Sequence, residues 1–127
     1  MSLTDKNTNL QELKDLVRAF RKERDWDKHF TPKNVATSIA IEAAELLELF
    51  QWDLLMENDK QQWADELADV IVFCLQFADV TDIDISSAVK DKVRRASEKY
   101  PVEVFAGKQD TAKTYHEIKK RYRQKGS

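Results

Sequence analysis

Apolar positions recur at helical spacing along most of the chain. Leu10, Leu13, Val17 and Phe20 share one face of a 3.6-residue period. Thr8, with Gln11 three residues on, has the form of a capping box, so a first helix is predicted from there to about Arg24. Residues 25–31 break the period and read as a connection. Thr31 followed by Pro32 starts a second helix: a capping hydroxyl, then a proline in the first turn, where its missing N–H is no loss. That helix is predicted to run to about Trp52. Asp59 with Gln62 marks a third start, and Trp63, Leu67, Val70, Ile71, Cys74 and Phe77 then form one broad apolar face that ends near Asp79. Residues 81–84 are turn-like, and Asp82 or Asp84 can cap a fourth helix through Ile85, Val89 and Val93. Tyr100 before Pro101 stops it, because the residue preceding proline is pushed out of the helical region. Residues 102–109 read as a connection. Asp110 or Thr111 can cap a short last helix with Tyr115, Ile118 and Tyr122 on one side and basic residues on the other. No strand-like alternation of useful length interrupts this pattern. The expected fold is all-α: a four-helix bundle core over residues 1–106 and a basic C-terminal helix or tail over residues 107–127.

Composition narrows the chemistry that such helices can carry. The 127 residues include two glycines, Gly107 and Gly126. A P-loop or a dinucleotide-binding turn needs several glycines close together, so neither fits this chain. Any phosphate chemistry must rest on metal ions and on Lys or Arg side chains. The single Cys74 excludes an intrachain disulfide and a Cys-only zinc site. His29 and His116 are too far apart in sequence to suggest a His-rich metal site. The apolar stretch 67–80 is interrupted by Asp69, Gln76 and Asp79 and is too short to span a bilayer. No membrane partner is expected, and with no signal-like N-terminal pattern the expected location is cytoplasmic.

The net charge of −2 hides an asymmetry. Residues 107–127 hold seven Lys or Arg against Asp110 and Glu117, a net of +5, which leaves −7 on the rest of the chain. Part of that negative charge stands in an unexpected place. In the run I-A-I-E-A-A-E-L-L-E-L-F (39–50), Glu42, Glu45 and Glu48 are the polar residues of an otherwise apolar helix. Glu42 and Glu45 are three apart and lie nearly on one face. The next helix repeats the arrangement with Glu66 and Asp69. A single Glu-x-x-Glu on a helix is ordinarily a solvated face. Two such pairs on consecutive apolar helices, with no Lys or Arg within helical reach, need an external positive charge. Packed antiparallel, the two helices would bring the four carboxylates together. The all-oxygen ligand set suits a hard cation, Mg²⁺ first and Mn²⁺ second, and without a nearby His it argues against iron and zinc.

The spacing Glu-x-x-Glu, twenty residues, Glu-x-x-Asp occurs here with E-R-D-W (23–26), F-Q-W (50–52) and K-Y-P-V (99–102). In that order these segments resemble the all-α MazG-like nucleoside triphosphate pyrophosphohydrolases, in particular the small single-domain branch that includes the dCTP pyrophosphatases. The resemblance covers about residues 10–105. It implies Mg²⁺-dependent hydrolysis of nucleoside triphosphates to monophosphate and pyrophosphate, a nucleotide-pool cleaning role, and a homodimer or homotetramer (a dimer of dimers). It also implies that Glu42, Glu45, Glu66 and Asp69 hold the metal, with Glu45, or alternatively Glu48, accepting the proton of the attacking water. Trp26 and Trp52 match tryptophans near the base. His29 and Phe30, which follow Trp26, are candidates for the walls of the same pocket, and Phe73 for the core or a sugar-facing wall; Lys33 and Asn34, in the first turn of the second helix, and Lys92 are candidates for phosphate contacts. Four residues beyond Lys92 the family often has asparagine; here Ala96 stands there, and Arg95 is the candidate substitute. Two other readings remain open from the residues. One is a non-catalytic oligomeric helical module with a nucleic-acid-binding basic tail, although a solvated tail helix is the plainer interpretation. The other is a related pyrophosphohydrolase acting on dUTP or phosphoribosyl-ATP.

Overall fold

The computed structural model describes residues 2–52 and 60–126. Among these the chain is all-α, with six helices and no strand: α1 (Leu10–Glu23), α2 (Pro32–Glu48), α3 (Lys60–Thr81), α4 (Ile85–Lys99), α5 (Val102–Phe105) and α6 (Ala112–Gln124). No helix among the described residues is long and apolar enough to cross a membrane. The chain divides into two compact units, Met1–Ile85 and Ser86–Ser127.

In the first unit α3 is the common partner, packing against both α1 and α2. Val17, Val35, Leu75 and Ala78 are its buried apolar residues. The second helix starts as its sequence demands: the Thr31 hydroxyl accepts the Asn34 N–H, and Pro32 occupies the first turn. The first helix differs by one residue from expectation. Its cap is Asn9, whose Oδ1 accepts the Glu12 N–H at 2.9 Å, while the Thr8 hydroxyl donates to Asn7 Oδ1. Asparagine caps at least as well as threonine, and Thr8 is already engaged one residue earlier. The predicted cap of α3, Asp59, lies outside the described residues.

Helix α2 ends at Glu48 rather than near Trp52. Leu49, Phe50 and Gln51 each donate to the carbonyl three residues back, so the chain leaves the α-helix through tighter turns. The connection 25–31 contains a 3₁₀ turn, Asp27–His29. Helices α1 and α3 are stopped by aspartates in the left-handed region, Asp25 (φ 54°) and Asp82 (φ 56°). In each case the following N–H reaches back five residues: Trp26 to the Arg21 carbonyl and Ile83 to that of Ala78. This is the reversal that glycine usually provides. Asp82 therefore closes α3 rather than capping α4, which starts directly after Asp84.

In the second unit, Ile118 of α6 is buried. Tyr100 stacks on Tyr115 at 5.0 Å between centroids and meets Phe105 edge-on at 5.8 Å. Residues 102–105, expected as a connection, form the helical turn α5. Lys99 lies over the Tyr100 and Tyr122 rings at 5.2 and 4.9 Å, so one of the basic side chains packs on the aromatic cluster.

Candidate metal centre and aromatic cleft

Phe50, just past α2, stacks on Trp63 near the start of α3 at 5.8 Å, while residues from the first turns of α2 meet Phe73 late in α3. The two helices are therefore antiparallel. Each presents its carboxylate pair at the middle of their shared length. Glu42, Glu45, Glu66 and Asp69 each place an oxygen within 4.8 Å of the others. The first three are half-buried and Asp69 is exposed. Glu48, one turn beyond Glu45, is exposed and stands outside this group.

The electrostatics of the cluster are one-sided. A hydrogen bond shared with Glu45, burial, and the negative charges of Glu45, Asp69 and Glu66 push Glu42 up to about 7. Burial first, and then the charges of Glu45, Asp69, Asp65 and Glu48, raise Glu66. The charges acting on both groups are all negative. Glu42 Oε2 and Glu66 Oε2 are buried and have no hydrogen-bond partner among the described residues. Buried carboxylate oxygens left in this state cost free energy unless a cation or donor completes them. The donor set is all oxygen, which fits a hard divalent ion. Trp63 Nε1, one turn before Glu66, is a third buried atom without a partner among the described residues.

A cleft of about 270 Å³ lies beside the N-terminal half of α2, lined by Trp26, His29, Phe30, Asn34, Val35, Ser38 and Phe73. Its aromatic wall is continuous. Trp26 stacks on Phe30 and Phe30 on Phe73, each pair at 6.4 Å, and Phe20 meets Trp26 edge-on at 5.6 Å. The Asn34 amide donates to the His29 carbonyl at 3.0 Å, which ties the 3₁₀ turn to α2. The cleft and the carboxylates share both helices. Ser38 precedes Glu42 by four residues and Phe73 follows Asp69 by four, so along each helix the two features are about 6 Å apart.

Of the residues expected from sequence, Trp26, His29, Asn34 and Phe73 thus meet in one cleft, and the four carboxylates meet in one cluster. Lys33 is exposed in the first turn of α2 and does not line the cleft. Trp52 is 74% exposed and lies beyond the opposite end of α2 from Trp26. The 17 residues of that helix separate the two tryptophans by about 25 Å, so one chain does not bring both to the same base. Lys92 and Arg95 belong to the second unit, where Arg95 Nε donates to Asp91 at 2.9 Å. Val35 and Ser38 escaped the sequence reading. Their signal is register, since Asn34, Ser38, Glu42 and Glu45 follow one another at steps of four, four and three on α2.

The chain is similar to known proteins in sequence and in fold. The MazG-like family profile matches residues 37–120, which extends past Lys99-Tyr100-Pro101-Val102 into α6. The chain is 31% identical over 106 residues to mouse dCTP pyrophosphatase 1, covering 77% of this chain and 62% of that one. Against the human protein of the same name the identity is 31% over 100 residues, covering 72% and 59%. The chain spans about three fifths of the length of these curated relatives. A solved structure, a pyrophosphatase from Archaeoglobus fulgidus, superposes with a TM-score of 0.67 at 39% identity and covers 79% of this chain and 99% of its own. With paired carboxylates on antiparallel helices and a profile match over most of its length, the chain belongs to the MazG-like family.

Proposed function

We propose that the chain is a Mg²⁺-dependent nucleoside triphosphate pyrophosphohydrolase that cleaves (deoxy)nucleoside triphosphates to monophosphate and pyrophosphate. The observation that carries this reading is the placement of four converging carboxylates, two with buried unpartnered oxygens, one helical turn from an aromatic cleft. The similarity to dCTP pyrophosphatase 1 supports the same substrate class. Glu42, Glu45, Glu66 and Asp69 hold the ion, Mg²⁺ or, as a substitute, Mn²⁺. When bound, it supplies the positive charge and Lewis acidity that a polyanionic substrate needs at an acidic site.

The chain's own residues do the rest. The face of Trp26, backed by Phe30 and Phe73, takes a nucleobase by stacking. The side-chain Oδ1 of Asn34 is an acceptor for base or sugar donors, since its amide nitrogen is engaged with His29. His29 offers an imidazole at the same rim. Water adds to the α-phosphorus, the bond from that phosphorus to the bridging oxygen breaks, and pyrophosphate leaves. Glu45 takes the proton of the water; it is half-buried within the cluster, whereas Glu48 is exposed and remains the second candidate. Lys33, Lys92 and Arg95 are candidate phosphate contacts; Asp91 engages Arg95 through Nε, and the Arg95 Nη groups are the donors that would meet phosphate. The function is nucleotide-pool cleaning in the cytoplasm, carried out by a homodimer or homotetramer in which a second copy supplies Trp52.

A screen of nucleoside triphosphates with Mg²⁺ and product identification tests this. Monophosphate with pyrophosphate is the expected product pair, and no turnover of any of them would refute the reading. Glu45→Gln and Asp69→Asn should each lower kcat by at least about 100-fold with helicity retained. A protein that instead bound nucleic acid in a salt-sensitive way, lost on deleting residues 108–127, would favour the non-catalytic alternative.

A further inference from the structure

The most deeply buried side chains of the first unit include polar ones: Arg21 (3% exposed) and Gln76 (1%). Asp79 joins them, with a side chain 4% exposed. Arg21 uses its whole guanidinium. Nη1 donates to Gln76 Oε1, and Nη2 donates to Asp79 Oδ2 at 2.7 Å. Nε donates to Asp27 Oδ1 at 2.5 Å. The Gln76 amide in turn donates to the Val17 carbonyl at 2.9 Å, and Arg18 donates to Asp79. A guanidinium fixed on three sides is a rigid fork rather than a flexible tether. Two of its three arms join α1 to α3. The third holds Asp27, the first residue of the 3₁₀ turn that also contains His29 and is flanked by Trp26 and Phe30. The guanidinium carbon lies 5.9 Å from the centre of the Phe30 ring, the middle member of the aromatic wall.

We propose that Arg21 is a positioning residue for nucleotide selection: through Asp27 it fixes the 3₁₀ turn, and with it the spacing of Trp26, His29 and Phe30 against Phe73. This rests on the cleft being the base site of a nucleotide hydrolase. Arg21 is buried and has no place in the cleft lining, so its action is indirect. The turn is held through Asp27 by Arg21 and, on its exposed side, by Lys22, through the backbone by the Trp26 N–H to the Arg21 carbonyl, and through Asn34 to the His29 carbonyl. Freeing Asp27 leaves the Trp26 backbone bond and the Asn34 contact as pivots, and the aromatic faces then lose a fixed separation. Binding of a flat base weakens, because the wall must be ordered on each encounter. The carboxylate cluster, on different turns of α2 and α3, keeps its geometry.

Asp27 is the arm to test, because its side chain is 47% exposed and its loss leaves the Arg21–Asp79 and Arg21–Gln76 contacts in place. In steady-state assays with a panel of nucleoside triphosphates, Asp27→Ala should raise KM for the preferred substrate about tenfold and keep kcat within about twofold. The preference for that substrate over the others should narrow. Asp27→Asn, which keeps an oxygen for Arg21 Nε, should recover most of the lost affinity. Lys22→Ala removes the second, exposed contact to Asp27, 2.8 Å long, and should leave KM near wild type. An Asp27→Ala enzyme with unchanged KM and preference would overturn the proposal. So would a loss in kcat alone, a failure to fold, or a Lys22→Ala effect as large as that of Asp27→Ala. A wild-type protein that turns over no nucleotide refutes the functional reading itself, whereas an active wild type with an indifferent Asp27 refutes only this assignment.

Discussion

Glu66 sits half-buried among three other carboxylates, and one of its oxygens has no partner among the described residues. Such a group opposes folding until a cation arrives. Glu66→Gln should therefore raise the melting temperature in the presence of a chelator, while abolishing turnover. Wild type should gain stability from Mg²⁺, by about 2.7 kcal/mol at a hundredfold excess over Kd, and the variant should gain far less; calorimetry with and without the ion reads both. Asp79 behaves in the opposite sense. The hydrogen bond from Arg18 lowers its pKa, burial opposes, and the hydrogen bond from Arg21 lowers it further, for a net depression. A depressed folded-state pKa stabilises the protein above the ordinary carboxylate range and ceases to do so as the pH falls through the folded value. Acid unfolding should therefore include a component from Asp79 below about pH 4 that Asp79→Asn lacks. At neutral pH the same variant leaves Arg21 without a charge partner on α3 and should lose about 3 kcal/mol in urea titrations. The carboxylate motif was visible in sequence because acids in an apolar run are conspicuous. The Arg21 network was not, although the signal was present: Arg21 lies four residues after Val17 on the core stripe of α1, and Gln76 and Asp79 interrupt the apolar run of α3. A polar residue on an apolar stripe reads as a boundary defect until its partner on another helix is known.

Helix starts in this chain follow local chemistry, as does the stop of α4 before Tyr100-Pro101, whereas the stops of α1 and α3 have a less legible cause. The Thr31–Pro32 start is legible because cap and first turn are adjacent residues, and the one-residue error at Thr8 arises because Asn7, Thr8 and Asn9 all compete for capping bonds. The stops before Asp25 and Asp82 fall close to the expected breaks in the period, but the left-handed caps that make them are not legible, because glycine, the residue expected in such a cap, is missing from both. An aspartate in that conformation is strained relative to glycine. Asp82→Gly should therefore stabilise the protein by about 0.5–1 kcal/mol, after allowing for the entropy glycine adds to the unfolded chain, with no effect on kcat; a chemical-denaturation midpoint that falls instead would show that the aspartate side chain supports the turn. Periodicity placed Leu67 and Ile71 on a covered face of α3, yet within the chain they are 53% and 43% exposed. The period of a helix records which residues avoid water, and it cannot record whether the surface that covers them belongs to the same chain.

That distinction bears on the whole molecule. Ile41, Leu47, Phe50 and Trp52 on or just beyond α2, together with Leu67, Ile71 and Val72 on α3, are all exposed. So many exposed apolar side chains on one pair of helices are more than an isolated chain ordinarily leaves to water. Light scattering should give at least twice the chain mass, and Leu47→Glu, which places a charge where the side chain is 70% exposed, should shift the protein toward monomer. The separation of Trp26 and Trp52 along α2 makes assembly a matter of catalysis as well. If both tryptophans serve one base, they come from different copies. Trp26→Ala and Trp52→Ala should then each be strongly impaired alone, mainly in KM. Mixing the two variants under conditions that allow subunit exchange forms heterodimers in which one of the two sites carries both tryptophans. A symmetric dimer exchanged to equilibrium should regain about a quarter of the wild-type activity. Activity no greater than the average of the two variants would separate Trp52 from the cleft and leave Trp26, Phe30 and Phe73 of a single chain as the whole of the base site.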